Sequence, residues 1–249
     1  MMNESRKSAQ SIPFATNASR VRLLKNRILR GSNIYHSTTV MEQHIDLGSL
    51  AGLTNQSIGL PFTDRLIERF SDLETLSNNC FDKSFEHRLY RNDGVPLEEI
   101  ILEAILTIES AIAYSMHRTN YLGFGKMLRN SSKATFVMIW ECMVPRMSRE
   151  ACALACLGII ELLPERYAAT MNTKKSESGY KTRLARLLKA ARRRQQSLDT
   201  CALAHAAQQR GLPYQVIGNS YLALGHGIAQ QVIHAGCVSG AQHSRSVAR

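Results

Sequence analysis

The chain has 249 residues, 44% of them hydrophobic, and 31 Lys and Arg against 20 Asp and Glu, for a formal net charge of +11. That length holds one large domain, or one domain and a fragment, and the apolar fraction is ordinary for a soluble globular protein. No stretch approaches the roughly eighteen consecutive apolar residues of a membrane span, so no membrane partner is expected, and the basic balance turns attention to anionic ones.

In chain order, residues 1–23 are rich in Ser, Asn, Arg and Lys and lack the apolar block of a secretory signal. A disordered extension is expected there. Residues 25–31 read as a short strand ending on a glycine turn, and residues 40–47 as a second strand of mixed apolar and polar character. Phe62, Leu66 and Phe70 recur at four-residue spacing, with Thr63 as a cap, which predicts a helix over 61–70. Gly94-Val-Pro-Leu-Glu-Glu opens the longest helix: Pro96 suits a first turn, and Glu98 and Glu99 favour the positive helix start. Ile100, Ile101, Ala104, Ile105, Ile108, Ala111 and Ile112 give it an apolar side wide enough for a central core helix. Gly123-Phe-Gly-Lys126 breaks the pattern. Residues 134–144 then read as a buried strand around Trp140, and 148–163 as a largely apolar helix closing at Pro164.

Charge concentrates next. Lys174, Lys175, Lys181, Arg183, Arg186, Lys189, Arg192, Arg193 and Arg194 crowd a stretch whose one acid is Glu177, while Leu184, Leu187 and Leu188 recur at helical spacing. The pattern predicts a basic amphipathic helix. Two readings of it stay open: a contact with nucleic acid or an anionic membrane surface, or a solvated linker helix docking its leucines on the preceding domain. Only Tyr180 is an aromatic neighbour, which weighs against single-strand binding. Ser197-Leu-Asp-Thr then caps a helix to Arg210, Gly211 terminates it, and a buried strand and glycine-punctuated hairpin follow to Ile233. Strands and helices alternate irregularly, so the fold class is α+β, or α/β, in two layers.

The six cysteines, Cys80, Cys142, Cys152, Cys156, Cys201 and Cys237, form no CxxC pair. Cys152 and Cys156 lie four apart and are expected as small buried groups on one helix face. Scattered thiols suit a reducing cytoplasm. No GxxxxGK[ST] loop and no GxSxG elbow occurs, and the eight histidines show no close pair at ligand spacing. No catalytic residue and no metal ligand is assigned. Arg27, Arg30, Arg88 and Lys126 are the candidate substrate-binding residues, able to grip carboxylates through charge-assisted bonds if the fold gathers them.

Several segments in order resemble one family. Arg30-Gly-Ser-Asn33, Ile45-Asp-Leu-Gly48, Pro61-Phe-Thr-Asp-Arg-Leu-Ile67, Cys80, Phe85-Glu-His-Arg-Leu89, Gly123-Phe-Gly-Lys126 and the strand at 136–142 resemble the amino-terminal domain of cyanophycin synthetase. Arg210-Gly-Leu-Pro-Tyr214 and Leu222-Ala-Leu-Gly-His-Gly227 extend the likeness to the opening of its ATP-grasp domain, over roughly residues 24–238 in all. These synthetases are ATP-dependent amide ligases that build a poly-aspartate backbone bearing arginine, and their amino-terminal domain holds the growing polymer. The resemblance implies a domain at 24–165, a basic linker helix at 166–196 and a truncated ATP-grasp start at 197–249. On that likeness, the residues that would contact ATP and magnesium are expected to fall beyond residue 249. No cofactor is expected in the isolated chain, and no catalysis by it alone.

Some members of that family carry an HxxEH-type helix that resembles a metal-dependent peptidase site. Here the matching positions are Glu99, Leu102 and Glu103. Two carboxylates without imidazole are poor zinc ligands, and an acidic stripe at a helix start is expected instead. The resemblance thus implies a non-catalytic module for a cyanophycin-like Asp/Arg polymer or an acidic peptide. The alternatives are one piece of a split amide-forming ligase, completed by a partner chain or homo-oligomer, and a basic nucleic-acid-binding protein. The segment 236–249 is expected to leave a sheet edge uncovered and so to favour self-association.

Overall fold

The computed structural model describes residues 19–71, 73, 83–91, 93–117, 121, 123–129, 134–171, 179–217, 220–225 and 227–234. The architecture is mixed α and β, in agreement with an α+β class. Five strands form one sheet: β1 (Ser19–Leu29), β2 (Val40–Asp46), β3 (Gly125–Arg129), β4 (Thr135–Glu141) and β5 (Ala169–Met171), in the order β3-β4-β2-β1-β5. All neighbours are antiparallel except β5, which joins β1 in parallel.

Alternation along the strands gives the sheet two unlike faces. Met41 and Ile45 pair across with Trp140 and Phe136, and all four belong to the apolar core. Between them Glu42, His44 and Asp46 point to the other face, where Arg27 stands opposite Glu42 and Arg22 opposite Asp46.

Seven helices are described: α1 (Asn55–Ile58), α2 (Leu60–Ser71), α3 (Lys83–Leu89), α4 (Leu97–Ser115), α5 (Pro145–Ile160), α6 (Tyr180–Arg192) and α7 (Leu198–Gln209). The long helix α4 has Pro96 at its start and packs against β3 and β4 on one side and against α5 and α6 on the others. Its residues Ile100, Ala104, Ile105, Ile108, Ala111 and Ile112 are fully buried, as the apolar periodicity predicts. Helix α5 begins at Pro145, three residues before the predicted start, because a proline is readily accepted in a first helical turn.

Two of the expected boundaries change. The extension predicted over 1–23 ends earlier, since Ser19 already pairs with Ala169 and Arg22 with Asp46. The segment predicted as a linker at 166–196 is built into the domain: β5 extends the main sheet, and α6 buries Tyr180, Leu187, Leu188 and Ala191 against α4 and α5. The leucines dock on the preceding domain, as one of the two readings held. Lys174, Lys175 and Glu177 lie outside the described residues.

Docking of α6 depends on Gly158 in α5. A Cβ there would sit 2.9 Å from the Tyr180 ring, which is itself held by Phe70 at a centroid separation of 5.8 Å and by the Arg69 guanidinium at 5.2 Å. Gly158→Ala should cost roughly 1–3 kcal/mol through overpacking, read as a lower urea midpoint. An unchanged midpoint would show that the ring moves aside freely.

The C-terminal unit is a helix on a small sheet. Ser197 caps α7 by accepting from the Thr200 N–H, and Gly211 adopts a φ of +65 just past the helix. Strands β6 (Tyr214–Ile217), β7 (Tyr221–Leu224) and β8 (Gln231–His234) form an antiparallel meander on which α7 packs. Only β7 has fully buried residues, Leu222 and Ala223; β6, predicted as a buried strand, is half-buried, and Ile217, Tyr221 and Val232 lie exposed. A three-stranded sheet covered by one helix cannot hide both faces. The segment 236–249, His226, Cys80 and Cys237 lie outside the described residues.

Candidate functional site: a cation-lined cleft

Where the main domain meets α7 and β6, two adjoining cavities of about 540 and 350 Å³ open. Both are lined by Glu141, Met143 and Tyr214, so they make one cleft. The larger lobe takes in Tyr114 and His117 at the end of α4, Tyr121, Arg192, and Cys201 and His205 of α7. The smaller takes in Arg30, Thr38 and Thr39 from the connection between β1 and β2, Cys142, Arg194 and Gln196.

Local sequence explains how these groups are held. Arg30 precedes Gly31, whose φ of +66 turns the chain and whose N–H donates to Thr39 Oγ1 at 3.1 Å. Asn33 staples the loop: its amide donates to the carbonyls of Gly31 and Thr38, both at 2.8 Å, and its Oδ1 accepts from the Tyr35 and His36 N–H groups. The Arg30-Gly-Ser-Asn33 segment is thus a self-bonded loop that presents Arg30. Thr38 Oγ1 meets His36 Nδ1 at 2.9 Å and donates to Glu141 Oε1 at 3.2 Å, which fixes the carboxylate at the wall shared by both lobes. On the opposite side, Gln196 N–H donates to the Met116 carbonyl at 3.4 Å and Gln195 Nε2 meets His117 Nε2 at 3.1 Å. These contacts tie the end of α6, and with it Arg192 and Arg194, to the end of α4.

Beneath the cleft lies a set of buried ionisable groups. Tyr121 donates to the Glu141 carbonyl at 3.2 Å. Burial, with Glu109 and Glu141 nearby, keeps its phenol well above the usual range. Burial likewise pushes the Cys142 thiol up to about 12. Glu109 is fully enclosed; the Trp140 indole donates to its Oε1 at 3.2 Å, and its Oε2 makes no hydrogen bond of ordinary length. Burial raises its carboxyl to about 7, the neighbouring Ser148 hydroxyl and the indole hold it back, and the charge of Glu141 adds to the rise. Tyr121 and Cys142 are thus held neutral at neutral pH, Glu109 is close to half-ionised there, and a thiol so placed is no nucleophile. What the cleft offers a ligand is positive charge: Arg30, Arg192 and Arg194 are exposed, and among the described residues none has a carboxylate at ion-pair distance.

Of the four candidate residues, only Arg30 lines the cleft. Arg27 is spent on Glu42, donating from Nε at 3.0 Å and from Nη2 at 2.8 Å to both carboxylate oxygens. Burial pushes Glu42 up, yet the bonds from Arg27 and His44 and the charge of Arg27 outweigh it and leave the carboxyl below its ordinary value. Lys126 shares the Arg27 face, in one cross-strand row through Ile139 and Glu42, three strand spacings or about 14 Å away. Arg88 is on the helical layer, paired with Glu99 at the start of α4 and stacked over Phe85. Glu99, at the first position of the HxxEH comparison, is therefore engaged by a guanidinium. Arg192 and Arg194 were named from sequence within the basic run but not as cleft residues, and Glu141 and Thr38 were not singled out. The basic run ending just before the Ser197 cap was the available signal for the two arginines.

No protein-family model matches the chain, and no curated protein matches it.

Proposed function

We propose that this chain is a non-catalytic binding module that takes an acidic peptide or a cyanophycin-like Asp/Arg polymer into the cleft. The observation that carries this reading is the cleft itself, lined by Arg30, Arg192 and Arg194 with no carboxylate neutralising them among the described residues. Guanidinium forks are suited to carboxylates. The likeness of Arg30-Gly-Ser-Asn33 and the later segments to the amino-terminal domain of cyanophycin synthetase supports the same ligand class. On this reading the isolated chain does not form amide bonds. A cytoplasmic setting fits the free thiols of Cys142, Cys152, Cys156 and Cys201. No helix among the described residues is long and apolar enough to cross a membrane.

Sedimentation with insoluble cyanophycin at low salt tests the reading. Binding is expected, and Arg30→Gln with Arg194→Gln should weaken it by about tenfold or more, since each charge-assisted bond contributes roughly 1.5–3 kcal/mol before screening. Arg88→Gln, on the far layer, should leave it unchanged. Absence of binding at low salt would remove the proposal.

One observation favours a second reading, in which the chain is one piece of a split ligase. Ile217, Tyr221 and Val232 are exposed on the same face of the meander, where a partner chain or a second copy would find an apolar surface. Co-expression with a candidate partner should then yield a stable complex that turns over ATP, and a pair that purifies apart counts against it.

A further inference from the structure

The solvent side of α6 is not absorbed by the cleft. Its apolar side is occupied: Tyr180, Leu187, Leu188 and Ala191 are buried against α4 and α5. A helix so docked cannot turn leucines toward a lipid surface, so insertion into a bilayer interface is closed to it. The opposite side carries Lys181, Arg186, Lys189, Arg192 and Arg193, all exposed. Helix α6 contains no acidic residue, and its described carboxylate neighbours, Glu150 on Arg183 and Glu161 on the Tyr180 N–H, sit at its N-terminal half and leave these five cations unpaired among the described residues.

The dimensions restrict the partner. At 1.5 Å per residue the cations from Lys181 to Arg193 span about 18 Å, over which one strand of a duplex presents about five phosphates. Charge count and length therefore match. The intervening residues on this side, Thr182, Ala185 and Ala190, are small, so a rod of large radius can approach along the helix. The strip has no exposed aromatic side chain on which an unpaired base would stack, and no Asn or Gln within α6 to read a base edge. We infer that the solvent face of α6 is a docking strip for the phosphate backbone of double-stranded nucleic acid.

The strip is independent of the acidic-ligand cleft except at Arg192, and the test avoids that residue. The full chain is titrated into a labelled random-sequence DNA duplex of about 24 base pairs, between about 50 and 200 mM salt, with anisotropy as the readout. Four to five neutralised phosphates predict a logarithmic salt slope of about −4. The triple variant Lys181→Gln, Arg186→Gln, Lys189→Gln should lose at least tenfold in affinity at the lowest salt, with a slope shallower by about 2.7. Lys181→Arg with Lys189→Arg should keep both affinity and slope. If the triple variant does not fold, Lys189→Gln alone is used, with a slope change of about 0.9. Arg30→Gln with Arg194→Gln, which disables the cleft, should leave duplex binding largely intact. The inference is overturned by no duplex binding at 50 mM salt, by an unchanged slope in the neutralised variants, by poly-aspartate displacing the duplex at equal charge concentration from the Arg30→Gln, Arg194→Gln variant, or by tighter binding to phosphatidylserine vesicles than to the duplex.

Discussion

Asn55→Ala is expected to lower stability by about 3–5 kcal/mol, the largest loss foreseen for any single polar substitution here. Asn55 is completely buried and its side chain makes three bonds: Oδ1 accepts from the Val95 N–H at 2.7 Å, and Nδ2 donates to Thr63 Oγ1 at 2.9 Å and to the Leu89 carbonyl at 2.7 Å. One amide thus joins α1 to α2, to the end of α3 and to the turn that launches α4. Its surroundings are shaped for it. Gly94 has a φ of +64, and a Cβ there would lie 3.0 Å from Asn55 Oδ1 and 2.8 Å from Gln56. Alanine would orphan the Val95 N–H and leave the Leu89 carbonyl only the long 3.4 Å bond from Gln56. Each stranded buried group costs about 1–3 kcal/mol, a large share of the 5–15 kcal/mol that typically holds a domain together. Asn55→Asp should be no better, because it keeps the acceptor but turns a carboxylate toward a carbonyl. Urea unfolding gives the answer directly. A loss below about 1 kcal/mol for either variant would mean that water replaces the amide and that the junction is looser than its distances indicate.

How far the fold can be read from the sequence depends on whether its signals are local. Helix α4 is legible because Ile100, Ala104, Ile105, Ile108 and Ile112 repeat with the helical period and Pro96 with Glu98 and Glu99 marks the start. Helix α7 is legible from Ser197 and Gly211, which act within a few residues of themselves. Strand β5 is not: Ala169, Thr170 and Met171 are too short a run for their alternation to signal a strand, and they pair with Ser19–Val21, some 150 residues earlier in the chain. The basic run at 181–194 announces a helix, but whether that helix links domains or packs as part of one depends on Gly158 admitting the Tyr180 ring.

The site divides in the same way. Arg27 and Arg88 stand as candidates in the sequence because their partners, Glu42 and Glu99, are set by strand register and by the placement of α3 against α4. The register of β1 on β2 even shifts between Leu23 and Asn26, so no fixed sequence offset would have paired Arg27 with Glu42. The cleft joins Arg30 and Thr38 of one connection with Glu141, Arg194 and Tyr214, from four separate elements or connections in all, and nothing within any one segment shows that they meet. Glu109 is different. It was not singled out from sequence, yet it is a carboxylate fully buried in the later half of α4, and its consequence is chemical.

That consequence is a pH-dependent stability. Glu109 is raised from its ordinary 4.5 to about 7, with burial as the main cause. Below about pH 4.5 the folded and unfolded chains both hold the proton, and the group contributes no difference. Between about 4.5 and 7 the folded chain keeps the proton while the unfolded chain releases it, so stability falls as pH rises, by about 1.4 kcal/mol per unit. Above 7 the full penalty stands, on the order of 3 kcal/mol. Glu109→Gln keeps the shape and an oxygen for the Trp140 indole while removing the charge. It should therefore be more stable than the parent by about 2–3 kcal/mol at pH 8, with the difference shrinking toward zero near pH 5. The chain's single tryptophan reports on the same event, because Trp140 Nε1 donates to the titrating carboxyl. Its emission in the folded protein should titrate with a midpoint near 7 and be flat in the glutamine variant. If the two stability curves instead run parallel from pH 5 to 8 and the emission does not move, solvent reaches the carboxyl. The floor of the cleft, where Glu141 and Tyr121 stand above Glu109, would then be wet rather than sealed.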